Sequence, residues 1–382
     1  MKMCMVALSE QYGSPHAGYA HTINIAKALA EKNEVWLFMK GSNTREIKKE
    51  GKVYIGLIDS LNIKGMRNPR GFVNDYYDFK ELLAEFEVVH ERYSVNPVTT
   101  FFKRKGQPYI LEVNDAGVET WQGLRKIIYS PLIKTKLQRA DALITQTETL
   151  KRILSKQTKK PIYVVPNAVD YEKFHKLNKK HIAEQREKTC PATEHLIGYV
   201  GSFREWHGVR FLPFIVQDML KQHSDTKVLM VGDGKERCEF EKLATKLGVL
   251  DKFVMAGSQP HEKIPEYMAM CDVLIAPFAN DWGGMRKHGF WWNPMKLWEF
   301  LSVGKPIVTS RIPEVMNVVG DCAMLVHPAD FKGYESALFS LFEDKKLCKR
   351  MGKRAQARAK KNTWKHRARS IEKIYKRVNR KC

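Results

Sequence analysis

The sequence predicts an α/β protein built from two doubly wound parallel sheets, and three observations predict it. Short apolar runs recur along the whole chain and alternate with segments of helical apolar spacing, the pattern of strands buried on both faces between covering helices. The pattern starts twice, at Met3 and again at His195, each time as an apolar strand that leads into a glycine-bearing loop. At 382 residues the chain is too long for one core of ordinary size and fits two domains.

In the first half, Met3–Leu8 reads as a compact strand. A loop with Gly13 and Gly18 follows, then Thr22–Lys32 with Ile23, Ala26, Leu29 and Ala30 on one helical face. Further strands are expected at Val35–Phe38, Val53–Leu57, Val88–His90, Tyr109–Val113, Ala142–Thr145 and Ile162–Val165. Ligands of such sheets bind at the carboxyl ends of the strands, where the Tyr12–Tyr19 loop, Arg92-Tyr93-Ser94 and Asn114-Asp115-Ala116-Gly117 would meet. The proline-bearing turn Val165-Pro166-Asn167-Ala168-Val169-Asp170 closes this half. A polar, helix-like connector at Leu177–Thr189 leads to the second, with strands expected at His195–Gly201, Lys227–Val231, Phe253–Ala256, Val273–Ala276, Pro306–Thr309 and Ala323–Val326.

A hydrophobic content of 43% suffices for packed interiors, yet no apolar run reaches the roughly 18 to 20 residues of a membrane-spanning helix. The apolar start of the chain stops at Glu10, too early for a secretory leader, and reads as the first strand. Seven cysteines lie scattered without metal-ligand spacing, which points to a reducing cytosol and away from structural zinc.

The net charge of +23 is concentrated at one end: Lys345–Lys381 holds 17 Lys or Arg and a single acid, Glu372. Within it Trp364, Ala368, Ile371, Tyr375 and Val378 form an apolar seam at helical spacing, so the segment is expected to pack on the body with its basic face outward. Such a face suits a polyanion (an anionic membrane surface, a nucleic acid or a charged glycan) or is simply solvated.

The segment Asn293–Ser310 concentrates the polar chemistry. Lys296 and Glu299 share a side of a helix, while Leu297, Phe300 and Leu301 can face a core. A helix N-terminus offers unpaired N–H groups and partial positive charge to a phosphate, and Lys296 adds a full charge there. Ionised Glu299 only accepts hydrogen bonds and suits a pair of sugar hydroxyls. An ordinary amphipathic helix with a solvated Lys and Glu has the same spacing.

Pro294-Met295-Lys296-Leu297-Trp298-Glu299, followed by Gly304-Lys305-Pro306-Ile307-Val308, resembles the donor-site signature of the retaining glycosyltransferases grouped as family 4, which have the GT-B fold. The Val-Pro-Asn-Ala-Val-Asp turn also matches the family's domain crossing. The resemblance implies two Rossmann-like domains facing across a cleft: an acceptor domain at 1–168, a nucleotide-sugar domain at 169–362, and a basic helix at 363–382 that returns to the N-terminal domain. It implies that Glu299 holds the ribose of a nucleotide sugar. The common pattern has a further glutamate earlier in this segment, where Trp291 stands here. That departure is shared by a P-x-K-x-x-E sub-pattern, in which the lysine and backbone amides contact sugar and phosphates, so Asn293, Pro294, Met295, Lys296 and Leu297 line the donor.

Other matches follow in chain order. Gly201-Ser202-Phe203-Arg204-Glu205-Trp206-His207-Gly208 resembles the loop in which an arginine and a lysine neutralise the donor diphosphate. Ser202 and His207 occupy those two positions here, so Arg204, Arg210 or Lys296 must supply the charge, Lys296 first. Val231-Gly232-Asp233-Gly234 resembles the loop near the nucleoside and Ala256-Gly257 the stretch near the base; a G-x-G after a strand is also a common structural turn. Gly18 in the first-domain loop is a candidate donor contact, and His16 beside it a candidate sugar contact or an inert loop residue. Gly283 and Gly284, in the loop Asn280–Asn293, permit close backbone approach to the sugar, while Trp291 and Trp292 either pack a sugar ring or cap the domain.

The implied activity is a metal-independent, retaining hexosyl transfer from a nucleotide sugar, expected to be a UDP-sugar, with no cofactor. Preplaced amides and cations would stabilise the leaving diphosphate. Asp115, Lys296 and Glu299 are the candidate catalytic groups, and Asp115 either orients the acceptor hydroxyl or forms a plain Asx turn. The basic face suggests a membrane-associated or polymeric acceptor and a cytoplasmic protein peripheral to the inner face of a membrane. Other readings of the same face are a viral-type enzyme that glycosylates hydroxymethylated DNA bases and an inactive polyanion-binding relative; a nucleotide-sugar epimerase of the same fold fits the ordered matches less well.

Overall fold

The computed structural model describes residues 1–14, 16–41, 46–58, 79–95, 98–116, 123–191, 194–221 and 224–379. The chain forms two compact units, one of residues 1–167 together with those from Trp364 on, the other of Ala168–Thr363.

Among the described residues the first unit holds a sheet of eight strands: β1 (Lys2–Gln11), β2 (Glu34–Lys40), β3 (Glu46–Glu50), β4 (Val53–Leu57), β5 (Val88–Arg92), β6 (Tyr109–Val113), β7 (Ala142–Thr145) and β8 (Ile162–Val164). Their order is β3-β4-β2-β1-β5-β6-β7-β8. All pairs are parallel except β3 with β4. Met5 stands opposite Leu37 on one side and His90 on the other, so β1 is the strand at which the order reverses. Met3, Cys4, Val35, Leu37, Val89 and Leu143 are completely buried, which explains the unbroken apolar runs of these strands. The strand that sequence reading misses is β3, Glu-Ile-Lys-Lys-Glu: it is an edge strand, charged and antiparallel, with Ile47 exposed. Charge on an edge guards against pairing with another chain, and it erases the apolar signal.

The helix Trp364–Asn379 belongs to this unit and buries the predicted seam, Trp364, Ala368, Ile371, Tyr375 and Val378, with Ile374 added. Trp364 packs edge-on against His21 of the helix Ala17–Leu29. Glu372, the lone acid of the basic segment, accepts a hydrogen bond from Asn33 at 2.9 Å.

The second unit holds a parallel sheet of β9 (His195–Val200), β10 (Thr226–Val231), β11 (Phe253–Gly257), β12 (Val273–Ala276), β13 (Ile307–Ser310) and β14 (Met324–Val326), in the order β11-β10-β9-β12-β13-β14. Its core runs through Ile197, Tyr199, Met230, Phe240, Ile275, Val308 and Tyr334. The expectation of two doubly wound parallel sheets therefore holds. Here β9 lies between β10 and β12, and the crevice beyond its carboxyl end is the switch point at which such sheets place ligands. The helix Met295–Val303 buries Leu297, Trp298, Phe300 and Leu301. It ends at Gly304, whose left-handed φ of 78° suits a residue without Cβ.

Candidate functional site

In the second unit, the residues singled out from sequence gather at the carboxyl ends of β9, β10, β11 and β12. The loops after the strands are tied by their backbones: Gly201 N–H donates to Val231 at 2.9 Å, Phe203 N–H to Asp233 at 2.9 Å and Gly232 N–H to Gly257 at 2.8 Å. Gly234 lies against the Phe203 carbonyl, where a Cβ would come within 2.4 Å of the oxygen. Gly201, Gly232, Gly234 and Gly257 thus form one continuous rim.

Lys296 projects into this rim from the first turn of Met295–Val303. Among the described residues no side chain caps that turn; the Leu297 N–H donates to the Pro294 carbonyl at 3.2 Å, and those of Met295 and Lys296 are left to an anion. The Lys296 amine sits over two aromatic faces, 4.9 Å from the Tyr199 ring centre and 5.3 Å from that of Phe278. It is shielded from solvent and, among the described residues, has no hydrogen-bond partner. Burial brings its pKa down to about 7, against a smaller upward pull from Glu299. The rim is shaped around it: a Cβ on Gly201 (φ 144°) would lie 2.4 Å from the Lys296 Nζ. A buried amine without a partner is costly unless an anion supplies one.

His207 is a neutral hydrogen-bond donor here, not a cation. Its Nδ1 is 2.6 Å from the Ser202 carbonyl oxygen, which can only accept, so the ring proton sits on Nδ1. Burial first, then the charges of Lys296 and Arg204, hold its pKa well below the usual imidazole range. It therefore does not replace the charge of the lysine found at this position in the resembled family. Ser202 is exposed and serves through its carbonyl, which also accepts from the Tyr199 hydroxyl at 3.1 Å. The Arg204 guanidinium lies over Trp206, 5.9 Å from the ring centre. Arg210 is committed elsewhere, its Nη2 donating to both carboxylate oxygens of Asp281 at 2.8 Å.

Glu299 points away from Lys296. Its Oε1 is 3.0 Å from Nε2 of His261, whose Nδ1 is 2.8 Å from the Lys173 amine. Sequence reading missed His261 and Lys173: a histidine in a polar loop carries no pattern, and Lys173 lies on the distant helix Tyr171–His175.

The loop before Met295–Val303 is held by aromatic packing. Trp291 is buried, so it caps the domain interior and cannot stack on a sugar. Half-buried Trp292 packs 4.7 Å from Trp206, which also meets Trp282 at 4.8 Å. Asn293 is buried and accepts from the Trp298 indole at 3.0 Å, pinning the loop to the helix that follows it. Gly284 caps the short helix Met285–His288. Pro294 is the residue before the first turn, Met295 is half-buried beside it, and the Leu297 side chain lies in the core, leaving only its backbone to the site.

In the first unit, Gly18 is covered by the Glu10 carboxylate, 2.3 Å from where a Cβ would stand, and Glu10 pairs with Arg92 at 2.9 Å. Asp115 is exposed after β6; the expected loop neighbour Gly117 lies outside the described residues. Beneath Asp115 is a buried carboxylate that sequence reading did not single out. Glu112 meets His21 Nε2 at 2.6 Å, His90 Nε2 at 3.1 Å and the Asn114 amide at 2.7 Å. The Tyr375 hydroxyl closes the cluster at His90 Nδ1, 2.5 Å away. Burial alone would raise the pKa of Glu112, but the two imidazoles outweigh it and hold the carboxyl well below its usual range. Its ionised form is thus fixed, and so is the Asn114 amide that leads to Asp115.

Residues 181–358 match the family model described as Glycosyl transferases group 1, and residues 20–173 that described as Glycosyltransferase Family 4. The chain belongs to this family of glycosyltransferases. It is 28% identical over 188 residues to the 2-deoxystreptamine glucosyltransferase of Streptomyces kanamyceticus, covering 46% of this chain and 48% of that one. It is 24% identical over 231 residues to the N-acetyl-alpha-D-glucosaminyl L-malate synthase of Bacillus anthracis, covering 59% and 56%. The chain spans about half the length of the curated relatives it matches. Sucrose-phosphate synthase from Thermosynechococcus elongatus superposes over 100% of both chains with a TM-score of 0.76 at 15% identity. The Anabaena protein HepE in complex with UDP-glucose superposes over 98% of this chain and 99% of that one with a TM-score of 0.75 at 14% identity. These likenesses show the GT-B fold.

Proposed function

We propose that the chain transfers a hexosyl group from a UDP-sugar to an acceptor hydroxyl, with retention at the anomeric carbon and without a metal ion. The observation that carries this reading is the buried amine of Lys296 at the switch point of the second sheet, without a hydrogen-bond partner among the described residues, beside a helix N-terminus that no described side chain caps. A diphosphate supplies what that amine lacks. Lys296, with Arg204 and the first N–H groups of Met295–Val303, takes up the charge that grows on the leaving group, and Glu299 accepts from the ribose hydroxyls. The relative HepE, solved with UDP-glucose, is the reason for preferring uridine. In a one-face reaction the departing phosphate oxygen takes the proton of the acceptor hydroxyl, and Asp115 orients that hydroxyl.

The acceptor we propose is membrane-associated or polymeric. The helix Lys345–Lys360 exposes Lys345, Lys346, Lys349, Arg350, Lys353 and Arg354 on its outward face, which suits a protein held at an anionic cytoplasmic surface. Among the described residues no helix is long and apolar enough to cross a membrane.

Calorimetric titration with UDP, GDP, ADP and dTDP tests the donor assignment. UDP is expected to bind the wild type, and Glu299→Ala to weaken it at least tenfold with the fold intact. Absence of binding by every nucleotide, or full affinity in Glu299→Ala, overturns it. Sedimentation with vesicles of anionic lipid, set against duplex DNA over a salt series, tests the basic face: salt-sensitive DNA binding without vesicle binding overturns the membrane assignment.

A further inference from the structure

We infer that His261 is a positioning residue that sets the preference of this site for ribose over deoxyribose, by fixing the Glu299 carboxylate. The inference rests on the donor-site reading above and adds to it a residue from a different loop, held by a third element.

The geometry assigns the protons. A lysine ammonium donates and cannot accept, and the Lys173 amine lies 2.8 Å from His261 Nδ1. Nδ1 must therefore be the bare nitrogen of the ring, and the proton sits on Nε2. That N–H faces Glu299 Oε1 at 3.0 Å and donates to it. The Phe174 ring packs across the imidazole at 5.7 Å, with 62° between the planes, and limits its rotation. Lys173 and Phe174 both come from Tyr171–His175, so one short helix sets both the tautomer and the orientation of the imidazole.

The consequence is specific to the carboxylate. A free glutamate turns about its last torsion, which is broad and two-fold, and presents its oxygens in many directions. With Oε1 engaged by a fixed donor, Oε2 and the remaining lone pairs of Oε1 are held in one plane. A carboxylate so oriented can accept from two adjacent hydroxyls at once, which only a ribose supplies. The Glu299 side chain is 14% exposed and that of His261 43%, so the imidazole is the outer brace of an inner carboxylate and can be replaced without opening the core.

The test is the ratio of affinities for UDP and 2′-deoxy-UDP, measured by calorimetry. A hydrogen bond to a charged acceptor corresponds to about 10- to 100-fold, and the wild type is expected to prefer UDP by that order. His261→Ala is expected to reduce the preference to about threefold or less while its melting temperature stays near that of the wild type. His261→Gln, whose side-chain amide can donate to Glu299 from the same side, is expected to restore most of the preference, a rescue that a merely structural role would not give. Lys173→Met, which frees the tautomer, is expected to fall between. If the wild type discriminates and His261→Ala discriminates equally, the inference is overturned and the donor-site reading stands. If the wild type binds UDP but does not distinguish the two sugars, the ribose role of Glu299 falls and this inference with it. If UDP does not bind at all, the donor-site reading itself fails.

Discussion

The Lys296 amine lies 4.9 Å from the centre of the Tyr199 ring and has no hydrogen-bond partner among the described residues. Two elements are responsible: β9 carries Tyr199 and delivers Gly201, and the first turn of Met295–Val303 delivers the lysine. The aromatic faces of Tyr199 and Phe278 favour a cation, but they cannot accept hydrogen bonds as water does. The amine is therefore held with its proton loosely bound until an anion arrives.

Proton uptake on binding follows. The free amine has a pKa of about 7, and pairing with a diphosphate favours its charged form. At pH 6 the amine is protonated before and after binding; at pH 8 it is mostly neutral before and charged after. Titration of UDP in two buffers of different ionisation enthalpy is expected to show close to one proton taken up at pH 8 and little from this group at pH 6. Affinity is expected to fall by up to about tenfold per pH unit above 7. Lys296→Met is expected to lose both effects; equal uptake in that variant would reassign the proton.

The same lysine is expected to cost stability in the free protein. Its folded pKa, about 7, lies below the unfolded value near 10.5, so below pH 7 folding buries a charge. As pH rises toward 10.5 the unfolded chain holds a proton that the folded one lacks, and stability gains. Lys296→Met is expected to raise the unfolding free energy at neutral pH by roughly 1–4 kcal/mol, with the gap closing as pH approaches 10. Urea titrations of both proteins at pH 7 and 9.5 measure it. A destabilised variant would show that the stem of the side chain, and not its charge, dominates.

Gly201 tests the shape of the rim. A Cβ at this position would lie 2.4 Å from the Lys296 Nζ, on a backbone of φ 144°. Gly201→Ala is thus expected to displace the amine and weaken nucleotide binding by at least tenfold, and to destabilise the fold by about 1–2 kcal/mol through the backbone alone. Calorimetry and thermal melts separate the two. Unchanged affinity would mean that the amine has another resting place.

The fold was legible in the sequence wherever a strand is buried on both faces, because burial on two sides leaves an unbroken apolar run. It was illegible at β3, where the edge position demands charge, and the first strand was read short because its polar end, Glu10 and Gln11, continues past the apolar core. The candidate site was legible along one local stretch: Lys296 and Glu299 sit on one short helix with the loop that precedes it. What that spacing hides is the divergence of their heads, one toward Tyr199 and Phe278, the other toward His261. The partners His261 and Lys173 come from loops and helices far apart in the chain, and no periodicity marks them. Glu112 was hidden for the opposite reason: a single acid inside Tyr-Ile-Leu-Glu-Val looks like a strand's exposed face, and only the fold shows His21 and His90 closing over it.

That buried carboxylate gives the first unit its own pH response. Glu112 is ionised between His21 and His90, with its pKa well below the ordinary range, where burial alone would have raised it. A depressed carboxyl pKa contributes stability that is fully present above the unfolded value, near 4.5, and is lost as pH falls from there through the folded value. Acid is therefore expected to loosen this unit from about pH 4.5 downward. Glu112→Gln keeps the shape but removes the charge that faces two imidazoles and Arg92, and it is expected to cost about 3–5 kcal/mol near neutral pH. Tyr375→Phe removes only the hydroxyl that binds His90 and is expected to cost about 1–2 kcal/mol. Urea unfolding at pH 7, 5 and 3 checks both variants. The decisive comparison is the slope: if the Gln variant loses stability between pH 5 and 3 as steeply as the wild type, another acid controls the transition.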